Sequence, residues 1–139
     1  MRRSLCSLAL AVAALTACGG DGGTGPKVSL AGSYGLSTVD GHVVPYTLYQ
    51  DPDLHVEVLR GTFTITDNGT YTENVTLRFT DMTGVNEAPA VCSGTYTKSG
   101  NSLTLTETQT ADCGGTWGAT WDGRNTITVN YGLQVVYKR

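Results

Sequence analysis

From about residue 28 onward, apolar and polar residues alternate with a period of two, in short runs broken by turn-forming residues. The clearest run is Gly61-Thr62-Phe63-Thr64-Ile65-Thr66, which sets Phe63 and Ile65 against a row of threonines before Asp67-Asn68-Gly69 turns the chain. Thr70-Tyr71 opens the next run. There Val75, Leu77 and Phe79 share one face and Thr76, Arg78 and Thr80 the other, until Asp81-Met82-Thr83-Gly84 breaks it. Ser93-Gly94-Thr95-Tyr96-Thr97 leads into the turn Lys98-Ser99-Gly100-Asn101, after which Leu103 and Leu105 alternate with Thr104 and Thr106. Asp122-Gly123-Arg124-Asn125 is a further turn, followed by Ile127 and Val129; Leu133, Val135 and Tyr137 mark a final strand. Earlier strands are expected near 32–39, 43–49 and 54–66. Thr, Val, Tyr and Ile dominate, and nothing after residue 28 carries a convincing helical pattern.

Together these runs predict about eight or nine strands joined by short connections, an antiparallel meander. A sheet of that size with one apolar face must close on itself or pack on a second sheet to protect its edges. The expected fold is therefore an all-β, antiparallel up-and-down β-barrel, with a two-sheet β-sandwich as the alternative. The threonine-rich face is the one such a sheet turns to water.

The start of the chain departs from this pattern. Met1-Arg2-Arg3 precedes an apolar run from Leu5 to Leu15, too short to span a membrane. The run ends in Leu15-Thr16-Ala17-Cys18, which resembles the lipobox of bacterial lipoproteins. The resemblance implies cleavage after Ala17, loss of Cys6 with the leader, and Cys18 as the lipid-modified first residue. The expected organisation is then a signal peptide over 1–17, a Gly-rich tether over 18–27 and a barrel domain over 28–139. An ordinary secretory signal is the alternative, and export is expected in either case. Acyl chains on Cys18 would hold the protein to a membrane, since each buried methylene contributes about 0.8 kcal/mol. Gly19 stands where an Asp would favour inner-membrane retention, so the resemblance points to the outer membrane of the bacterial envelope.

Charge and cysteine count narrow the partners. Nine Lys and Arg against 12 Asp and Glu give a net charge of −3; without Arg2 and Arg3 seven remain against 12, a net −5. An acidic domain with no basic cluster is a poor nucleic-acid binder, because that binding rests on neutralised phosphates. Cys92 and Cys113 are the cysteines left beside Cys18, and in an oxidising compartment they are expected to form a disulfide. Closing a loop of that length contributes about 3 kcal/mol in the chain-entropy account.

Several segments taken in order resemble the small lipocalin-like, calycin-type β-barrels found in many bacterial lipoproteins. Ala31-Gly32-Ser33-Tyr34-Gly35-Leu36 is similar to their first strand, with Tyr34 where lipocalins proper carry Trp. Val39-Asp40-Gly41-His42-Val43-Val44-Pro45 resembles the hairpin that follows, and Val135-Val136-Tyr137-Lys138-Arg139 the closing strand. The resemblance implies a barrel with room for a cavity and names no ligand.

Candidate chemistry is sparse. No His-Glu-x-x-His, Gly-x-Ser-x-Gly or phosphate-cradling loop occurs, so neither an enzyme nor a cofactor or metal site is expected. His42 and His55 read as surface residues, and Asp51-Pro52-Asp53 as a solvated loop with too few oxygens for a cation. Glu57, Glu73 and Glu107 share parity with apolar neighbours, which would turn them inward. Because an unpaired buried carboxylate is costly, they are expected instead at strand ends or beside a bulge that resets the parity. Trp117 and Trp121 share one face, and with Phe63, Tyr71 and Phe79 they form the candidate pocket for a small apolar ligand. A core packed solid by the same residues is the alternative. In that case Met82 to Ala90, read as a long loop carrying Val85, Ala88 and Pro89, is the candidate surface for a protein partner.

Overall fold

The computed structural model describes residues 28–139; the expected leader, the expected tether and Cys18 lie outside the described residues. Ten strands follow in sequence: β1 (Gly32–Val39), β2 (His42–Val43), β3 (Tyr46–Gln50), β4 (Leu54–Ile65), β5 (Thr70–Asp81), β6 (Gly84–Ser99), β7 (Ser102–Glu107), β8 (Gly115–Trp121), β9 (Thr126–Asn130) and β10 (Gln134–Lys138). All belong to one antiparallel sheet in the order β2-β1-β10-β9-β8-β7-β6-β5-β4-β3. A further pairing of β1 with β4, from Gly32↔Ile65 to Gly35↔Thr62, closes eight of them into an up-and-down barrel. There is one closed sheet, so the sandwich alternative does not hold.

The expected strand over 43–49 is two strands. Pro45 interrupts it, because proline gives no N–H to a ladder. The hairpin before it turns on Asp40 and Gly41, both at positive φ (48° and 79°), the backbone that a two-residue connection between twisted strands requires. β2 continues the edge of β1, and β3 lies along β4 from Tyr46↔Val58 to Gln50↔His55. The two short strands thus occupy the wall where β1 and β4 have parted.

The segment Met82 to Ala90 is not a loop. β5 and β6 stay paired from Thr70↔Thr95 to Asp81↔Gly84, around a two-residue turn at Met82-Thr83. Asp81 Oδ1 closes that turn by accepting the N–H groups of Thr83 at 2.7 Å and Gly84 at 3.2 Å. β7 pairs with β6 only from Gly94 onward, so the first half of β6 forms a sheet edge. Where that pairing stops, a disulfide joins Cys92 to Cys113, with the Cα atoms 5.7 Å apart, and ties the β7–β8 connection to β6.

Inward residues fill one half of the barrel completely. Tyr34, Phe63, Ile65, Tyr71, Leu105 and Ile127 are all buried there, with Phe63 stacked on Tyr71 at 5.2 Å between ring centroids. Tyr34 donates its hydroxyl to the Leu30 carbonyl at 2.7 Å. Arg139 lies over the Tyr34 ring at 4.8 Å and Lys98 over Trp121 at 5.5 Å, so cations cap this end. Outside, threonines such as Thr62, Thr64, Thr72, Thr95, Thr104 and Thr120 face solvent. That arrangement is the inverse of the apolar outer band of a membrane-spanning barrel.

Candidate functional site

The other half of the barrel is not filled. A cavity of about 290 Å³ opens there, at the lower end of the size range of small-ligand sites. Its walls are aliphatic: Leu36 and Val39 come from β1, Val58 from β4, Val75 and Leu77 from β5, and Val135 from β10. Leu133, just before β10, and the exposed Leu48 of β3 complete the apolar lining. Val75, Leu77 and Val135 hold the inward parity of their runs, whereas Val39 and Val58 are brought inward by register shifts, between Leu36 and Thr38 in β1 and between Val58 and Arg60 in β4.

Polar groups gather where the cavity meets the packed half. Glu73 of β5 is only 8% exposed. It accepts a hydrogen bond from the Tyr131 hydroxyl at 2.7 Å and another, on its second oxygen, from the Tyr137 hydroxyl. Glu107, the last residue of β7, also lines the cavity and accepts the Gly114 N–H at 2.7 Å. Burial raises the Glu73 carboxyl above the ordinary glutamate range. The two phenolic hydrogen bonds oppose that rise, and the neighbouring Glu107 charge adds to it. Burial likewise raises the phenols of Tyr131 and Tyr137, and the Glu73 charge raises them further. These two tyrosines stay neutral and donate to the carboxylate.

The three glutamates separate. Glu57 turns outward, and the cause is a bulge. Pairing of β4 with β5 shifts between Val58 and Arg60, leaving Leu59 as the extra residue that reverses parity upstream. Glu57 then stands opposite Arg78, which donates Nε at 2.8 Å and Nη2 at 2.6 Å to the same carboxylate oxygen. Glu73 meets no such bulge and faces inward from within β5, against the expectation of strand-end placement, whereas Glu107 lies at the end of β7 as expected and still lines the cavity. The tyrosine pair is what makes the Glu73 position tolerable, since a buried polar group must find partners.

None of the five aromatic residues expected in the pocket lines this cavity. Phe63, Tyr71 and Trp121 point inward as their parity requires, but they sit in the filled half. Trp117 packs edge-on against Tyr131 at 5.3 Å, one residue removed from the carboxylate cluster. Phe79 lines a second cavity of about 370 Å³, between the inner face of the β5–β6 extension and the disulfide-tied connection at Thr110, Asp112 and Cys113. Leu77 borders both cavities. Tyr131 and Leu48 had no sequence signal beyond being apolar near turns, whereas Val75, Leu77, Leu133, Val135 and Tyr137 were visible as alternating positions.

His42 is exposed. His55 shares a hydrogen bond of 3.1 Å with the Thr47 hydroxyl. The carboxylate of Asp51 caps its own turn, accepting the Asp53 and Leu54 N–H groups at 2.8 and 2.7 Å, with no gathering of ligands around it. Among the described residues no three His, Cys, Asp or Glu side chains gather to hold a metal ion. No protein-family model matches the chain, and no curated protein matches it either.

Proposed function

We propose that this protein is a lipid-anchored lipoprotein of the bacterial envelope whose lipocalin-like barrel binds a small apolar ligand. The observation that carries the reading is the unfilled half of the barrel. An eight-stranded barrel is just wide enough to be packed solid or to hold one small molecule, and here a cavity of about 290 Å³ with aliphatic walls remains. The lipobox-like Leu15-Thr16-Ala17-Cys18 supports the anchor, and the glycines between Cys18 and Pro26 would let the domain stand off the lipid surface.

A second reading, a module that binds another protein, is favoured by a different observation. The free edge of β6 and its turn carry Met82, Val85 and Val91, which are 87%, 66% and 53% exposed. Unpaired strand edges are templates for a partner strand.

The two readings part in a titration of the unlipidated domain with small lipophilic molecules, followed by tryptophan emission. Trp117 touches Tyr131, and Tyr131 lines the cavity, so occupancy should shift the emission of Trp117. A saturable shift supports the carrier. A flat response across the panel sinks it and leaves the β6 edge as the working surface.

A further inference from the structure

The polar end of the cavity is one-sided in its chemistry. Glu73 and Glu107 bring two carboxyl groups to one apolar chamber, and no Lys or Arg among the described residues answers them. The ion pairs among the described residues are Arg78 with Glu57 and Arg60 with Glu87, both directed elsewhere. Lys98 and Arg139 lie over rings at the capped end. Glu107 has one oxygen on the Gly114 N–H, and among the described residues no donor meets the other.

A second, independent feature lies beside the two acids. The Tyr71 hydroxyl is buried with no hydrogen-bond partner among the described residues, and the residue is 1% exposed. Tyr71 shares the inner face of β5 with Glu73, two residues away. It stands across Gly94 from Glu107, since Gly94 pairs with Tyr71 on one side and Glu107 on the other. Both carboxyl groups act on that hydroxyl electrostatically. Tyr71 itself belongs to the packed half, so the phenol oxygens that line the cavity are those of Tyr131 and Tyr137.

Taking the ligand-binding reading above as its basis, we propose that the cavity takes an amphiphilic cation, a primary ammonium group on a short hydrocarbon body. The ammonium would meet Glu73 and Glu107 while the hydrocarbon lies along Val58, Val75 and Val135. An ammonium is a triple donor with no acceptor, which matches a site made of carboxylate and phenol oxygens. A carboxylate-bearing lipid would place a third negative charge in the chamber. A neutral chain would leave both acids without a counter-charge in a low-dielectric site.

The test uses three probes of equal length, n-octylamine, 1-octanol and octanoate. Each is titrated calorimetrically at pH 7 into the chain from Gly19 onward, unlipidated and with its disulfide formed. Octylamine is expected to bind roughly tenfold tighter than octanol, in line with a charge-assisted hydrogen bond, and octanoate to give no heat. Glu107→Gln and Glu73→Gln should each bring octylamine down toward the affinity of octanol while leaving octanol unchanged. Should Glu73→Gln fail to fold, Glu107→Gln carries the comparison. Equal affinity for amine and alcohol, or tighter binding of octanoate, overturns the cation assignment and leaves the carrier reading intact. No binding of any probe overturns both.

Discussion

Glu73 is the residue whose placement departs furthest from the simplest reading of the sequence. Parity alone turned it inward; the cost of burying an acid argued against that. The resolution lies in Tyr131 and Tyr137, more than fifty residues downstream, whose hydroxyls satisfy the carboxylate. Such a partnership depends on strand register across the barrel and leaves no local trace in the chain. It has a pH signature. The folded carboxyl holds its proton more tightly than the unfolded one, whose ordinary value is 4.5. The stability it contributes is complete below that value and is lost as pH rises through the higher folded value. Denaturant melts should therefore show stability declining as pH climbs from about 4.5 toward neutrality. In Glu73→Gln that part of the decline should be absent; an unchanged slope would reject the buried-acid account. Asp51 is held low first by the Tyr49 hydroxyl and then by the N–H groups of its turn, and Asp81 and Asp122 by hydrogen bonds within their own turns, so their contribution is lost on acidification below 3.8, in a separate window.

Single elements were legible where alternation was unbroken. The runs around Phe63, Leu77, Leu103, Ile127 and Val135 appear as strands with the faces their parity assigns. Elements were misread where one residue alters the count or where pairing overrides composition. Leu59 is an ordinary apolar residue in sequence, yet as a bulge it moves Glu57 to the outer face and into the reach of Arg78. The stretch from Met82 to Ala90 has loop-like composition, with Asn86 and Pro89, but the register of β5 carries it on as strand. The five aromatic residues show the third kind of gap. Parity gives the direction of a side chain but not its height along a tilted barrel, which depends on the stagger between strands. Close approach is equally invisible locally. A Cβ on Gly94 would fall 2.9 Å from the Glu107 Cα and closer still to the Thr106 carbonyl oxygen, both backbone. Gly94→Ala should therefore destabilise the barrel by about 1–3 kcal/mol through overpacking of the β6–β7 wall. Equilibrium unfolding measures it, and a change within error would show that this wall yields freely.

At the scale of the molecule, two features act together, an acidic water-facing barrel and a disulfide at the place where β6 loses its neighbour, and the proposed anchor at Cys18 would add a third. The anchor rests on sequence alone. Cys18→Ser should move the protein from the membrane pellet to the soluble fraction after salt-washed fractionation, and retention in the pellet would remove the lipid from the account. The closure of the barrel has a consequence of a different kind. Arg139 reaches the Ala31 carbonyl at 3.0 Å from 108 residues away, and β1 finds both of its barrel neighbours only through distant pairings. Non-local pairing of this kind slows folding, because chain entropy is lost before the contacts that offset it form. The hairpins from β4 to β10 can assemble locally, and β1 can join β4 once that strand is present, whereas its pairing with β10 has to wait for the last strand. Until that pairing forms, the apolar lining of the barrel stays open to water along the seam between β1 and β10.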